Sequence, residues 1–238
     1  MRKAAFPNLA SPKKGILILC LAGWGFVNPF AATALEPTNL KDAYAPIFAV
    51  GAAIPSPDLS AEEQKLLLAN FTNITPENCM KPSLTEPEEN RYTFEKADAL
   101  VDFAHRSGLK VNGHCLVWDD QCPNWFFSAN GKQASRQIVL KRMRDHITNE
   151  VGHFRGAVSS WDVVNEAISD GPGYLKPTRW LNSIGSDYIA QAFSAAARAD
   201  PHAELYYNDY SIEKPDKREK ALRLIRDLCV RSPLAVRV

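Results

Sequence analysis

A carboxylate at the end of a predicted strand in the middle of the chain could act as an acid or a base. Residues 158–165 are rich in β-branched and aromatic side chains, which is typical of a strand, and Glu166 follows Asn165 at its end. A buried acid is costly unless it has a partner. At the carboxyl end of a strand in a β/α barrel, such an acid is usually catalytic. Two interpretations are open: Glu166 takes part in a reaction, or it forms a structural ion pair with a Lys or Arg.

Other predicted strands also end in polar or aromatic side chains. They are Glu77, Asn78 and Lys81 after the second strand, His114, Trp118 and Gln121 at the third, and Asn208, Asp209 and Tyr210 at the fifth. Taken singly, each could be an ordinary core or surface residue. Taken together at one face of a parallel sheet, amides, carboxylates, an imidazole and an indole are suited to hold hydroxyl groups and to stack on a pyranose ring. The sequence therefore predicts a sugar-binding site.

No set of side chains has the spacing of a metal or phosphate site. The five His residues are scattered, and no Cys/His cluster has zinc spacing. The Gly-Pro-Gly turn at 171–173 is no phosphate-binding loop. We expect no metal and no cofactor in the chemistry. In an exported protein a disulfide could join two cysteines, whose spacing does not determine the pairing: Cys79, Cys115, Cys122 and Cys229.

Strands alternate with helices along the chain. Apolar runs predict strands at 47–54, 71–74, 109–118, 158–166 and 204–208. Helical periodicity predicts helices at 60–69, which a capping box opens, and at 97–106, 135–150, 187–199 and 216–230. This alternation indicates one α/β domain with a parallel sheet covered by helices. We count five βα units and no sixth strand of convincing length, whereas a closed barrel of this kind needs eight units and about 250 residues.

The N-terminal region is typical of an export signal. Lys13 and Lys14 precede an apolar run at 15–27, and Ala32-Thr33-Ala34 offers a cleavage site between small residues. The alternative is a short membrane anchor, although the run is shorter than the roughly 20 apolar residues that span a bilayer. We predict a secreted or periplasmic protein with a signal peptide at 1–34, a linker at 35–46, the domain at 47–231 and a non-homologous tail at 232–238.

Composition and charge exclude some partners. The chain is 45% hydrophobic and 23% charged, as globular proteins are, and its formal net charge is +1. Four positive charges precede Glu36, the first acid, so the chain without its predicted signal peptide would be acidic. This balance predicts no basic surface for nucleic acid. We expect a mature monomer that binds neither nucleic acid nor membranes.

Four ordered motifs resemble those of glycoside hydrolase family 10. They are Asn73-Ile-Thr-Pro-Glu-Asn-Cys-Met-Lys81, Asn112-Gly-His-Cys-Leu-Val-Trp118, Trp161-Asp-Val-Val-Asn-Glu-Ala167 and Asn208-Asp-Tyr210. The resemblance runs from about residue 47 to 230. It implies a (β/α)8 TIM barrel and a retaining endo-β-1,4-xylanase that acts on xylan without a cofactor. The chain departs from the family's usual pattern at Pro82, Cys115 and Asp119, where a Trp, a Thr and a His are usual.

The resemblance implies a role for each residue of these motifs. Glu166 would be the general acid that protonates the leaving oxygen and then the base that activates water. Asn165 and His114 would bind the sugar at the cleavage point. Glu77, Asn78 and Lys81 would bind the next sugar toward the non-reducing end, and Trp118 and Gln121 would line the same pocket. Tyr210 would lie near the acid. Neighbouring strand residues point to opposite faces, so Asn165 and Glu166 share a site only if the strand ends or bulges there.

The same resemblance reveals a missing part. The family's nucleophile is a Glu on strand seven in a Thr-Glu-Leu-Asp-like motif, and nothing in the 238 residues matches it. Retaining hydrolysis needs both carboxyl groups. We therefore expect a C-terminally truncated xylanase that is inactive as given. The alternatives are another retaining barrel glycosidase such as a cellulase, a non-catalytic remnant that binds xylan or xylo-oligosaccharides, or an unfolded remnant.

Overall fold

The computed structural model describes residues 39–231 and 236–237. The predicted signal peptide lies outside these residues, as does most of the predicted tail. Within the predicted linker, the described part contains helix α1 (Leu40–Tyr44). This helix is attached to the domain, because the Lys41 Nζ donates a hydrogen bond of 2.6 Å to the backbone oxygen of Leu68. No helix in the described ranges combines the length and the apolar character that crossing a bilayer requires.

Six parallel strands form the main sheet, in the spatial order β1, β2, β3, β6, β7, β8. Their bounds are β1 (Gly51–Ile54), β2 (Asn73–Pro76), β3 (Lys110–Val117), β6 (Ser160–Asn165), β7 (Glu204–Asn208) and β8 (Val236–Arg237). A separate antiparallel hairpin consists of β4 (Ser128–Ala129) and β5 (Lys132–Gln133). The carboxyl ends of β6 and β7 lie side by side, since Asn165 is in register with Asn208.

Helices connect the strands of the sheet. After α1 they are α2 (Ala61–Asn70), α3 (Pro82–Thr85), α4 (Glu95–Arg106), α5 (Arg136–His153), α6 (Arg179–Ile184), α7 (Tyr188–Ala199) and α8 (Pro215–Arg231), with a 3-10 turn at Asn124–Phe127. The capping box at α2 is present as predicted: Ser60 and Glu63 each accept a hydrogen bond from the backbone amide of the other. The alternation of parallel strands and helices confirms the predicted α/β fold.

The core lies between the sheet and its helices. Met143 and Ile147 of α5 and Phe193 of α7 are fully buried, as the 3.6-residue spacing of apolar side chains predicts. In the sheet, Gly113 of β3 lies beneath the ring of Trp161 on β6. A Cβ atom at this position would stand 2.2 Å from the Trp161 Cε3, so the close approach of the ring requires glycine.

Several predicted bounds were wrong. The first strand begins at Gly51 rather than at residue 47, because Ile47 and Phe48 donate their backbone amides to Tyr44 in a turn and have exposed side chains. The second strand is shifted to Asn73–Pro76, since the amide of Phe71 still caps α2. The sixth strand of the sheet, β8, has only two residues and pairs with β7, whereas the sequence predicted no sixth strand of convincing length. The short helices α3 and α6 were not predicted.

Candidate active site

Glu166 lies where β6 ends. The strand stops at Asn165, and Glu166 has a positive φ of 55°, in the left-handed region that costs a non-glycine residue about 1–2 kcal/mol. Its backbone amide donates to the oxygen of Asn208 (2.9 Å). The next two amides, of Ala167 and Ile168, donate to the Tyr207 hydroxyl at 3.1 Å and 3.0 Å. The strand therefore ends between Asn165 and Glu166, as a shared site requires.

A network of charged side chains stabilises this turn. The Tyr207 hydroxyl donates to Asp209, whose fully buried carboxylate is 2.8 Å from the Nζ of Lys217. Lys217 also contacts Asp170 at 2.7 Å. Burial opposes the charge of Lys217, but the hydrogen bonds to these two carboxylates outweigh it and raise the pKa of Lys217. The amine therefore stays protonated and joins the loop after β6 to α8.

Glu166 has an ion-pair partner that the sequence motifs did not reveal. The Lys176 Nζ lies 3.2 Å from the Glu166 Oε2, and it lies 4.9 Å from the ring centre of Tyr210. Burial opposes the charge of Lys176, but the bond to Glu166 raises the pKa of Lys176 overall. The ion pair that was one interpretation of Glu166 is therefore present. It lies in an open cleft rather than in the core, so it does not exclude the catalytic interpretation.

Lys81 contacts Trp118, which lines the same cleft as Glu166. The Lys81 Nζ lies 4.8 Å from the centre of the Trp118 ring, and it donates a hydrogen bond of 3.3 Å to the Asn78 Oδ1. Lys81 is only 6% exposed. A buried lysine needs partners for its charge, and the aromatic face and the amide supply them. This contact joins the segment that follows β2 to the segment that follows β3.

A buried ionic cluster anchors the segment that carries Lys81. Its members are Glu86, His146 and Glu150, and the two carboxylates approach the imidazole at 2.9 Å and 3.1 Å. Thr85 bonds both Glu150 (3.0 Å) and the backbone oxygen of Lys81. Burial opposes the charge of His146, yet the two carboxylates raise the pKa of His146 to about 9. Burial raises the pKa of Glu150. The sequence did not predict this cluster.

Of the remaining predicted site residues, His114 lies within β3, whereas Glu77, Gln121, Asn165 and Asn208 lie at or after strand ends. The His114 Nδ1 is 2.8 Å from the Asp162 Oδ2 on the neighbouring strand. The side-chain Nδ2 of Asn208 donates a hydrogen bond of 2.9 Å to the Asn165 Oδ1. Glu77 and Gln121 are exposed, directly after β2 and in the loop after β3. The sugar-binding roles of these residues stay predictions.

Two clefts open at the carboxyl ends of the strands. The first has a volume of about 200 Å³ and is lined by Trp118, Asp119, Asp120, Glu166, Lys176, Pro177 and Thr178. The second has a volume of about 660 Å³, and it is lined by Tyr210, by residues 169–172 and by residues at the start of α8. Glu166 and Trp118 thus face one space, to which Lys81 is joined through the indole. Tyr210 is linked to Glu166 through Lys176.

Cysteines and candidate metal ligands add nothing to this site. Cys79, Cys115 and Cys122 are buried and form no disulfide, and burial raises the pKa of the Cys79 thiol to about 11. Within the described ranges, no three His, Cys, Asp or Glu side chains are grouped as metal ligands.

A parallel sheet with its polar side chains gathered at the carboxyl ends of the strands is the arrangement of a (β/α)8-barrel protein. The chain belongs to glycosyl hydrolase family 10, whose family model matches residues 39–233. The recognition made from the four motifs is confirmed. The six parallel strands with their helices represent part of that barrel.

Named relatives and solved structures agree with this membership. The chain is 42% identical over 204 residues to endo-1,4-beta-xylanase A of Xylanibacter ruminicola, covering 84% of this chain and 55% of the relative. It is 44% identical to endo-1,4-beta-xylanase B of Paenibacillus barcinonensis, covering 81% of this chain and 58% of the relative. A crystal structure of a xylanase from Paenibacillus barcinonensis superposes with a TM-score of 0.79 and 41% identity, covering 85% of this chain and 61% of that one. The chain thus spans somewhat more than half the length of these relatives.

Proposed function

We propose that this chain belongs to an enzyme that hydrolyses internal β-1,4-xylosidic bonds of xylan by a retaining mechanism, with Glu166 as acid and base. Family membership supports the reaction class, and the relatives are named as endo-1,4-beta-xylanases. The observation that carries the proposal is that Glu166 and Trp118 line one open cleft at the carboxyl ends of parallel strands. An aromatic face next to a carboxyl group suits a pyranose ring whose glycosidic oxygen must be protonated.

The proposed reaction has two displacements. Glu166 donates its proton to the glycosidic oxygen while a second carboxylate attacks the anomeric carbon, which breaks the bond to the leaving sugar. Glu166 then removes a proton from water, which displaces the second carboxylate. Lys176 donates to the Glu166 Oε2. That bond leaves Oε1 as the oxygen to carry the proton.

The second carboxylate is the part that these 238 residues do not supply, because none of them matches the nucleophile motif. We therefore propose that these 238 residues bind xylan oligosaccharides without hydrolysing them. This non-catalytic binding is the second candidate function. We also propose that the protein is exported through the predicted signal peptide. We expect binding to need only Lys81, Trp118 and Glu166, which follow β2, β3 and β6; Lys81 contacts the Trp118 ring, and Trp118 and Glu166 line one cleft.

Calorimetry and a reducing-end assay on the full chain test both candidates. We expect xylotriose to bind and cellotriose to bind more weakly; preference for cellotriose would favour the cellulase alternative. We expect no release of reducing ends from xylan. Release that disappears in Glu166→Gln but persists in the matched surface variant Asp102→Asn, on the exposed face of α4, would show that the chain supplies its own nucleophile. Failure to bind xylotriose would contradict the proposed sugar site.

A further inference from the structure

The loop after β3 is held in place by Arg179, the first residue of α6. This platform loop, residues 118–124, carries two of the predicted sugar-binding residues, Trp118 and Gln121. The Arg179 Nε donates to the Asp119 Oδ1 at 3.1 Å, and the Arg179 Nη2 donates to the backbone oxygens of Asp119 and Cys122. Its Nη1 donates to the Asn124 Oδ1 at 2.9 Å. One guanidinium therefore binds the loop at three residues.

The carboxylate of Asp119 receives a second bond from Arg179. Its Oδ1 accepts from the backbone amide of Arg179 at 3.0 Å, at the first residue of α6. Next to it, the Trp180 Nε1 donates to the backbone oxygen of Trp118 at 3.0 Å. The two side chains of the ion pair are about one third exposed, 35% for Arg179 and 32% for Asp119. An ion pair of this exposure contributes little by itself, so the bonds to the loop backbone are what distinguish this contact.

The segment that carries Arg179 also contacts the candidate acid. Lys176, three residues earlier, pairs with Glu166, and its backbone amide donates to the oxygen of Ala167 at 2.8 Å. Residues 176–180 are therefore fixed to the turn after β6 on one side and to the platform loop on the other. Asp119 itself lines the same cleft as Glu166 and Lys176.

We propose that Asp119 and Arg179 are positioning residues that set the separation between the platform loop and Glu166, and through it the affinity of the cleft for a xylan oligosaccharide. The inference rests on the proposed sugar site. Binding requires the indole of Trp118 and the Glu166 carboxyl at a defined spacing, since a displacement of about 1 Å in a supporting shell is enough to impair a site. A further bond, from the Ser83 amide to the backbone oxygen of Gln121, holds the loop toward α3.

Calorimetric titration of the full chain with xylotriose tests this proposal. We expect Asp119→Ala and Arg179→Ala each to weaken binding at least tenfold. The double variant should weaken binding by less than the product of the two single effects, because both substitutions remove the bond between the Asp119 carboxylate and the Arg179 guanidinium. Asp119→Asn keeps the oxygen that accepts both bonds and loses only the charge, so a smaller loss of about threefold is expected.

Arg136→Ala is the matched control for a merely structural role. The Arg136 Nε donates to the oxygen of Ile184 at the other end of α6, and its Nη2 pairs with Asp187 at 2.5 Å, with no contact to the platform loop. We expect this variant to lower thermal stability and to keep the xylotriose affinity. Hydrogen exchange of the amides 118–124 should quicken in Asp119→Ala and Arg179→Ala and stay unchanged in Arg136→Ala.

The outcomes separate this inference from the proposed function. Unchanged affinity in Asp119→Ala and Arg179→Ala, in a chain whose unaltered form binds xylotriose, would overturn the positioning role alone. A loss in Arg136→Ala equal to theirs would also overturn it, since general destabilisation would then explain the effect. An unaltered chain that binds no xylotriose would overturn the sugar site and the positioning role together.

Discussion

Replacing Tyr207 by Phe removes a single oxygen atom from beneath the turn that carries Glu166. That hydroxyl accepts hydrogen bonds from the backbone amides of Ala167 and Ile168, at 3.1 Å and 3.0 Å, and donates a hydrogen bond to Asp209. The ring is 1% exposed, so water does not replace the lost oxygen readily. The substitution keeps the shape of the ring and changes only these bonds.

The expected cost follows from the groups left without a partner. A buried donor that loses its acceptor costs about 1–3 kcal/mol, and here two amides share one acceptor. We expect Tyr207→Phe to lower the free energy of unfolding by about 3 kcal/mol. The left-handed conformation of Glu166 should also become harder to maintain, because strained backbone persists only where its surroundings hold it.

Urea unfolding at pH 7 measures this loss, and hydrogen exchange of the Ala167 and Ile168 amides locates it. Tyr44→Phe is the control, since its ring is 40% exposed and a surface hydroxyl usually contributes less than about 0.5 kcal/mol. A loss below about 1 kcal/mol in Tyr207→Phe, with unchanged exchange of both amides, would refute the view that this hydroxyl holds the turn.

Three further outcomes are expected. Gly113→Ala should destabilise the chain by about 2–3 kcal/mol in urea unfolding, because its Cβ would overlap the Trp161 ring, whereas Gly152→Ala, which meets nothing within 4 Å inside α5, should be neutral or stabilising by up to about 1 kcal/mol. The pKa of His146 is about 9 in the folded chain and about 6.5 in the unfolded chain. The protonated imidazole therefore adds its full contribution to the free energy of unfolding below about pH 6.5, and this contribution is lost as the pH rises through about 9. The free energy of unfolding should therefore fall as the pH rises from about 6.5 through 9, and a profile as flat as that of His146→Gln would contradict this. Trp118→Ala should weaken xylotriose binding at least tenfold in calorimetry, and unchanged affinity would remove the indole from the sugar site.

Local sequence signals predicted the long elements well. The apolar spacing in α4, α5 and α7 is repeated over several turns, and the capping box sets the start of α2. Short elements such as α3 and α6 escaped prediction because four to six residues contain too little periodicity. The start of β1 was placed too early because apolar Ile47 and Phe48 resemble a strand, although their amides close a turn instead.

The sequence by itself determined the family, the α/β architecture and the residue types at the strand ends, because these depend on local pattern and ordered motifs. Only the tertiary structure decided how those residues are held. Lys176 beside Glu166, Tyr207 beneath the turn, and Arg179 on the platform loop act across 10 to 60 positions of sequence. Such contacts follow from the register of parallel strands and the path of the connecting loops, and no local spacing encodes them.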